Sequence, residues 1–322
     1  MCADCVLGVD LGGTKMALAA VDSGGGMAFS MEVPSPSGDG KAMVSTLVEL
    51  VKSGRSKASA EGLETIAAGI GAAGFISYEE GLLLESPNIS WEKVPLVSIV
   101  ARELDLPTFL DNDANCATLG ELHYGVAKGA RDFVLLTLGT GIGGGICSGG
   151  VVYRGSRGTA GEIGHCIVDP NGPVSNCGRR GCLEAMGSGT ALVREAERLS
   201  RDNDSSLLNE MRGVTGRLTG ESVSEAAEQG DETALAAFDF VSRYLGIGIA
   251  NVIALFDPEL VVLGGGVSHS GHLLLDDVRA SVKENGIQSL VKDARIELST
   301  LGNDAGLLGA AALAWEGTGP RP

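Results

Sequence analysis

Residues 5–21 read CVLGVDLGGTKMALAAV: an apolar run, Cys5–Asp10, closed by the turn Leu11-Gly12-Gly13-Thr14-Lys15, then a second apolar run, Met16–Val21. Two apolar segments joined by glycines predict a β-hairpin. Asp10 stands at the end of the first strand, beside two glycines, a hydroxyl and an ammonium. Glycines let backbone N–H groups approach phosphate oxygens, and Thr14 and Lys15 add donors. A carboxylate in such a turn repels phosphate unless a cation intervenes, which points to Mg²⁺ at Asp10. Taken alone, the same residues equally describe a tight turn capped by Asp and Thr.

The pattern recurs. Phe133–Leu138 is apolar, Gly139-Thr140-Gly141-Ile142-Gly143-Gly144-Gly145 follows, and Ile146 resumes the run. No Gly-Lys-Ser/Thr closes this turn, so it is not a Walker A loop, and the strand after it argues against a dinucleotide fingerprint. Two matching turns read as a weak internal repeat, with two α/β domains each opened by a glycine turn of phosphate size. Such a pair suits a nucleoside triphosphate better than NAD. A third element, Leu260–Leu263 followed by Gly264-Gly265-Gly266, is either a platform for adenosine or a plain strand-to-helix turn. Strands Thr65–Gly71 and Pro107–Leu110 alternate with helices over Lys41–Lys57 and Val94–Leu104, as in an α/β domain. Further helices are expected at Thr190–Leu199, Glu221–Glu228, Asp231–Phe256 and Ala305–Trp315, with a tail, Glu316–Pro322, that frays.

The chain of 322 residues carries 24 Lys and Arg against 41 Asp and Glu, a net charge of −17. That balance, with a pI near 4.6, excludes a nucleic-acid grip built on general electrostatics and attachment to an anionic membrane. No apolar run approaches the roughly 20 residues of a membrane helix, and the longest, Tyr244–Phe256, reads as a buried helix. The N-terminus has no basic segment ahead of an apolar one, so no export signal is expected. Seven cysteines, an odd count, then read as reduced thiols in the cytoplasm.

Asn112-Asp113-Ala114-Asn115 follows a strand and opens a helix expected to run to His123. Asp111 or Asn112 can serve as its N-cap. Asp113 at the positive helix end can serve as a base that stays ionised. Phosphoryl transfer has a loose transition state, so such a base need only orient a hydroxyl and accept its proton late. The segment 155–189 is rich in Gly and polar residues and too long for a simple connection. It holds Glu162-Ile163-Gly164-His165 and then Cys177-Gly178-Arg179-Arg180-Gly181-Cys182, followed by Glu184. His165 with the two thiols can make three ligands to Zn²⁺; otherwise these are two reduced cysteines in a loop. Asn88, Asn112, Glu162 and Glu184 are polar groups suited to sugar hydroxyls.

Asp10 to Lys15, Asn112 to Asn115, Gly139 to Gly145, Ala160-Gly161-Glu162-Ile163-Gly164-His165 and Cys177-Gly178-x-x-Gly181-Cys182-Leu183-Glu184 together resemble the ROK family (repressors, open reading frames and sugar kinases). They occur in the family's order over residues 5 to 310. The resemblance is strongest to the family's bacterial ATP-dependent glucose kinases. It implies an α/β, actin-like ATPase (ribonuclease H-like) fold with two α/β domains around a cleft. Residues 1–112 would form the small domain, with a C-terminal helix near 303–318 packing back on it. Residues 113–302 would form the large one, carrying the insert 155–189.

The implied activity is transfer of a phosphoryl group from ATP, with Mg²⁺, to the 6-hydroxyl of glucose, with Asp113 as catalytic base. Gly74, Asn88, Asn112, Asp113, Glu162, His165 and Glu184 would contact the sugar. The position of Ala73, before Gly74, usually holds a Pro in the family. Asp10, Gly12, Gly13, Thr14, Lys15, Gly139, Thr140 and Gly141 would line the ATP phosphates, and Gly265 and Gly266 would face the adenosine. The family's zinc pattern has a further cysteine where this chain has Ser175, leaving His165, Cys177 and Cys182 to hold Zn²⁺ with weaker affinity. A homodimer is the expected assembly, and neither nucleic acid nor membrane is an expected partner. N-acetylmannosamine and N-acetylglucosamine are the alternative substrates. Polyphosphate as donor would need a basic groove, for which Arg154, Arg157, Arg179 and Arg180 are the available cations. The family's sugar-sensing repressors carry a DNA-binding module ahead of the first phosphate motif, and a non-catalytic sensor is the remaining alternative. The start of that motif at Asp10 and the net charge count against a repressor, and Asp113 with both phosphate turns counts against a non-catalytic module.

Overall fold

In the computed structural model, which describes residues 2–36, 40–86 and 89–319, β1 (Ala3–Leu11) and β2 (Lys15–Val21) form the expected hairpin. β3 (Met27–Pro34) adds a third antiparallel strand. Helix α1 (Gly40–Ala60) leads to β4 (Leu63–Ala72), which pairs in parallel with β1. Short strands β5 (Phe75–Ser77), β6 (Leu82–Ser86) and β7 (Ile89–Val94) make a small antiparallel sheet of their own. Then come α2 (Leu96–Leu104), β8 (Thr108–Asn112), parallel to β4, and α3 (Asp113–Tyr124). The sheet order is β3-β2-β1-β4-β8.

Residues alternate across this sheet. Leu7, Val9, Leu18 and Ile70 lie in one buried cluster with Leu47 and Val51 of α1 and Val100 of α2. Each fully buried aliphatic side chain contributes roughly 1.5–3 kcal/mol. On the other face Gly8 and Gly69 lie directly beneath the last helix. A Cβ at Gly8 would run into Leu307 O, and one at Gly69 into Ala310 O. Glycine at these two positions therefore serves close packing of helix on sheet.

The second sheet repeats the first. β9 (Phe133–Leu138), β10 (Ile142–Ser148) and β11 (Val151–Val152) precede α4 (Leu183–Gly187), α5 (Gly189–Ser200), α6 (Leu207–Thr215), α7 (Gly220–Glu228) and α8 (Glu232–Phe256). β12 (Leu260–Gly264), α9 (Leu275–Asn285), α10 (Gln288–Val291) and β13 (Arg295–Leu298) follow, and α11 (Ala305–Thr318) ends the described chain. The order β11-β10-β9-β12-β13, with β9, β12 and β13 parallel, matches that of the first sheet strand for strand.

The chain divides into two compact units: Met1–Arg131 with Gly145–Gly161 and Asn303–Pro322, and Asp132–Gly144 with Glu162–Gly302. The expected boundary at 112/113 thus falls inside the first unit, at the junction of β8 and α3. The reason is packing: α3 lies against α11, which also covers β1 and β4. Glu316 and Thr318, expected to fray, continue α11, and Glu316 pairs with His123 at 2.8 Å. Helix α8 begins well before Tyr244, so by length and composition it is apolar enough to cross a bilayer, contrary to the expectation from 244–256 alone. Its buried stripe, including Phe238, Val241, Leu245 and Ile249, packs against α4, α5 and α9.

Candidate active site

The register of the first sheet sets Asp10, Gly71 and Asp111 side by side on β1, β4 and β8. Gly71 has no side chain, and a Cβ there would meet Cys116 Sγ at 3.1 Å and Asp113 Cα at 3.8 Å. The first turn of α3 therefore settles onto the sheet between the two acids. Asn112 is the N-cap: its Oδ1 accepts from the N–H groups of Ala114 (2.8 Å) and Asn115 (3.2 Å). Its Nδ2 donates to Gly74 O at 3.1 Å. With both lone pairs of Oδ1 engaged, Asn112 can meet a ligand only as a donor. Gly74 has φ 135, and a Cβ there would run into Glu85 O, so glycine is required on two counts.

Asp113 is the first residue of α3, and its carboxylate accepts the Ala114 N–H at 2.9 Å. Desolvation by the surrounding protein pushes its pKa above the ordinary carboxylate range, while backbone N–H donors and the Asn112 side chain pull it back. Burial, and then the neighbouring Asp113 charge, push Asp10 up to about 6, against a smaller opposing pull from Lys15. The two acids thus stand on either side of Gly71.

The first turn is tight: the Gly12 N–H donates to Lys15 O at 3.1 Å, and Ser35 Oγ donates to Gly12 O at 2.7 Å. Gly13 and Thr14 form its tip. Lys15 extends to the surface, where its ammonium pairs with Glu32 at 2.6 Å, both side chains more than half exposed.

In the second unit, the Gly139 N–H donates to Gly141 O at 3.0 Å, and Thr190 Oγ1 donates to Thr140 O at 2.7 Å. Glu184, on α4, accepts the Ile142 N–H at 3.2 Å, and a Cβ on Gly141 would strike its carboxylate. Glu184 is therefore engaged with the glycine turn. Gly265 has φ 81 and lies on the backbone of Leu138, whereas a Cβ on Gly266 would meet open space. The third glycine element is accordingly a packing residue followed by an open one.

Glu162 and His165 are one 3-10 turn apart, with His165 Nε2 3.7 Å from a Glu162 carboxylate oxygen. His165 Nδ1 is buried with no hydrogen-bond partner. Donor atoms of His165, Cys177 and Cys182 lie within 4.8 Å of one another. Ser175 Oγ is 2.8 Å from Cys177 Sγ and 3.5 Å from Cys182 Sγ, so its oxygen stands where the family's additional sulfur is expected. An orphaned buried imidazole nitrogen, two thiols and a hydroxyl fit a Zn²⁺ ion, and the second imidazole nitrogen beside a carboxylate is the usual way such a ligand is oriented.

Asn88 lies outside the described residues. Sequence reasoning missed the partners of the α3 junction. Asp111, 1% exposed, and Arg154 form an ion pair of 2.7 Å. That pairing removes Arg154 from the cations available to a polyphosphate. The acid beside Asn112 was visible in the sequence; nothing local marked its distant partner.

A profile of the ROK family covers residues 6–316, and the chain belongs to this family. Its fold is accordingly the actin-like ATPase fold. The chain is 39% identical over 316 residues to a glucokinase of Streptomyces coelicolor, covering 96% of this chain and 97% of the relative. It is 38% identical over 312 residues to a glucokinase of Halalkalibacterium halodurans, covering 95% and 94%. The crystal structure of a ROK family glucokinase from Streptomyces griseus in complex with glucose and AMPPNP is similar with a TM-score of 0.84 at 37% identity, covering 97% of this chain and 99% of that one.

Proposed function

We propose that this chain is an ATP-dependent glucokinase that phosphorylates the 6-hydroxyl of glucose. The observation that carries the chemistry is Asp113, exposed at the N-terminus of α3 with its carboxylate oriented by the Ala114 N–H. There it orients the sugar hydroxyl and accepts its proton late, as the bond to phosphorus forms. The choice of glucose rests on the near full-length similarity to glucokinases. Asn112 donates to a sugar hydroxyl from the same junction. Gly74, Glu162, His165 and Glu184 complete the sugar contacts, with Asn88 assigned from the family pattern.

The turns Gly12–Lys15 and Gly139–Gly141, with Asp10, serve the ATP phosphates, and Gly265 and Gly266 serve the adenosine. Mg²⁺ near Asp10, when bound with ATP, supplies the charge neutralisation that phosphoryl transfer needs. His165, Cys177 and Cys182, with the Ser175 oxygen, would hold Zn²⁺, which fixes the orientation of His165. Metal analysis should find about one zinc per chain, and its removal by a chelator should lower the melting temperature; no zinc in protein purified with zinc supplied would sink this assignment. Light scattering tests the homodimer the family resemblance implies.

The decisive experiment is a coupled assay of ADP release with ATP and Mg²⁺ against glucose, mannose, fructose, N-acetylmannosamine and N-acetylglucosamine. Preference for glucose upholds the reading. Turnover of an N-acetylated hexosamine alone would replace the substrate and retain the mechanism.

A further inference from the structure

The junction that presents Asp113 is held from beneath by charge. Asp111 Oδ1 accepts two hydrogen bonds, from the Asn112 N–H at 2.8 Å and from Asn115 Nδ2 at 2.9 Å. Its other oxygen accepts from Arg154 Nε at 2.7 Å. The Asp111 side chain is 2% exposed and that of Arg154 17%, so the pair is largely shielded from solvent. The guanidinium lies 4.0 Å from the centroid of the Tyr78 ring and donates to Val152 O at 3.3 Å, so its plane is fixed from two sides. Asp10, Asp111 and Asp113 crowd one end of the sheet, and Arg154 is the cation bonded to this acidic group, since Lys15 is turned to Glu32.

We propose that Arg154 and Asp111 are a positioning pair: they fix the Asn112–Asn115 turn so that the Asp113 carboxylate and the Asn112 amide meet the sugar in the reactive geometry. This deepens the reading of Asp113 as base and rests on it. Arg154 supplies what a neutral residue would not, a charge-assisted hydrogen bond to Oδ2 that fixes the Asp111 carboxylate so that Oδ1 accepts twice from the turn. Planarity matters as well, because the guanidinium bonds Asp111 while lying flat on Tyr78, a combination an ammonium does not reproduce.

The test is a kinetic double-mutant cycle in the full-length protein, using Arg154→Met, Asp111→Asn and the double variant, with Arg154→Lys as rescue and Asp113→Ala in parallel. A displaced reacting group costs on the order of tenfold to a hundredfold in rate. The expectation is a loss of that size in kcat for Arg154→Met, measured well below its melting temperature, with KM for ATP within about twofold of the parent. The double variant should be no slower than the slower single variant, since one unit is broken either way. Arg154→Lys should recover part of the rate, and because it keeps the charge it can be assayed if Arg154→Met does not fold. A folded Arg154→Met or Arg154→Lys with unchanged kcat, beside an inactive Asp113→Ala, would overturn the positioning role alone. So would losses in kcat that multiply in the double variant. Full turnover by Asp113→Ala would instead remove the base and with it the purpose of the pair.

Discussion

The two five-stranded sheets share one strand order, yet the loops at corresponding strand ends differ in charge. After the first strand, one sheet places Asp10 and Lys15 around its glycines; the other places Thr140 alone among glycines, with Glu184 brought from α4 to accept the Ile142 N–H. After the last strand, one sheet continues into Asn112 and Asp113 at the start of a full helix. The other continues into Ser299, whose hydroxyl accepts the N–H groups of Leu301 and Gly302. A repeated topology thus keeps the backbone turns while the acid–base groups gather in one copy. In the proposed mechanism the first copy does the proton chemistry, and the second offers hydrogen-bond donors of fixed geometry to phosphate.

The sharpest way to break this contrast is Asp113→Ala, expected to lower kcat about a thousandfold, within the range of a general base, with near-parent circular dichroism. Substantial turnover would mean that the acidic copy is not where the proton goes. Next is Asp10. Its carboxyl has a folded pKa of about 6 against 3.8 unfolded, so the unfolded chain ionises first. The ligand-free protein then loses stability as pH rises from about 4 to about 6, by up to about 3 kcal/mol. Asp10→Asn should raise the melting temperature at pH 7, with no gain at pH 3.5, while impairing activity with Mg²⁺ and ATP. An unchanged melting temperature across that window would show that Asp10 is well solvated.

Glu184→Ala should destabilise by about 1–2 kcal/mol, the scale for a lost hydrogen bond to a charged acceptor, and should raise KM for ATP. If only KM for glucose responds, Glu184 serves the sugar alone. Lys15→Ala should have the smallest effect on folding, below about 0.5 kcal/mol, because its ion pair with Glu32 is exposed. A several-fold rise in KM for ATP, with KM for glucose steady, is the expected kinetic result; an unchanged KM for ATP would assign Lys15 to the surface.

Sequence alone made the strands of both sheets' first hairpins legible, because apolar runs broken by glycine clusters have few other solutions. α3 was equally legible, since Asn112-Asp113-Ala114-Asn115 is both a cap and a candidate site. β3 escaped because its alternating, half-exposed residues carry no continuous apolar signal. β5, β6 and β7 escaped because each is only three to six residues long. For the site, residue types at single positions were readable, but their bonds were not. Nothing in the sequence separates Glu184 facing a sugar from Glu184 bound to Ile142, or joins Arg154 to Asp111 over 43 residues of separation. Ser175 shows the reverse case: a departure from a family pattern was plain in the sequence, and the fold then placed its hydroxyl beside both sulfurs.

Helix α11 has a consequence for how the chain is made. Its backbone covers Gly8 and Gly69, and Gly309 lies against Cys116 O of α3. The strands that need it are translated well before the helix itself. At about 5–20 residues per second, the stretch between α3 and α11 takes the ribosome roughly ten to forty seconds. For that interval one face of β1 and β4 lacks its cover, while residues 162–302 already hold most of what the second unit needs to fold. The first unit is therefore completed only after most of the second has been made, and a nascent chain stalled before residue 305 would present an open apolar sheet to chaperones.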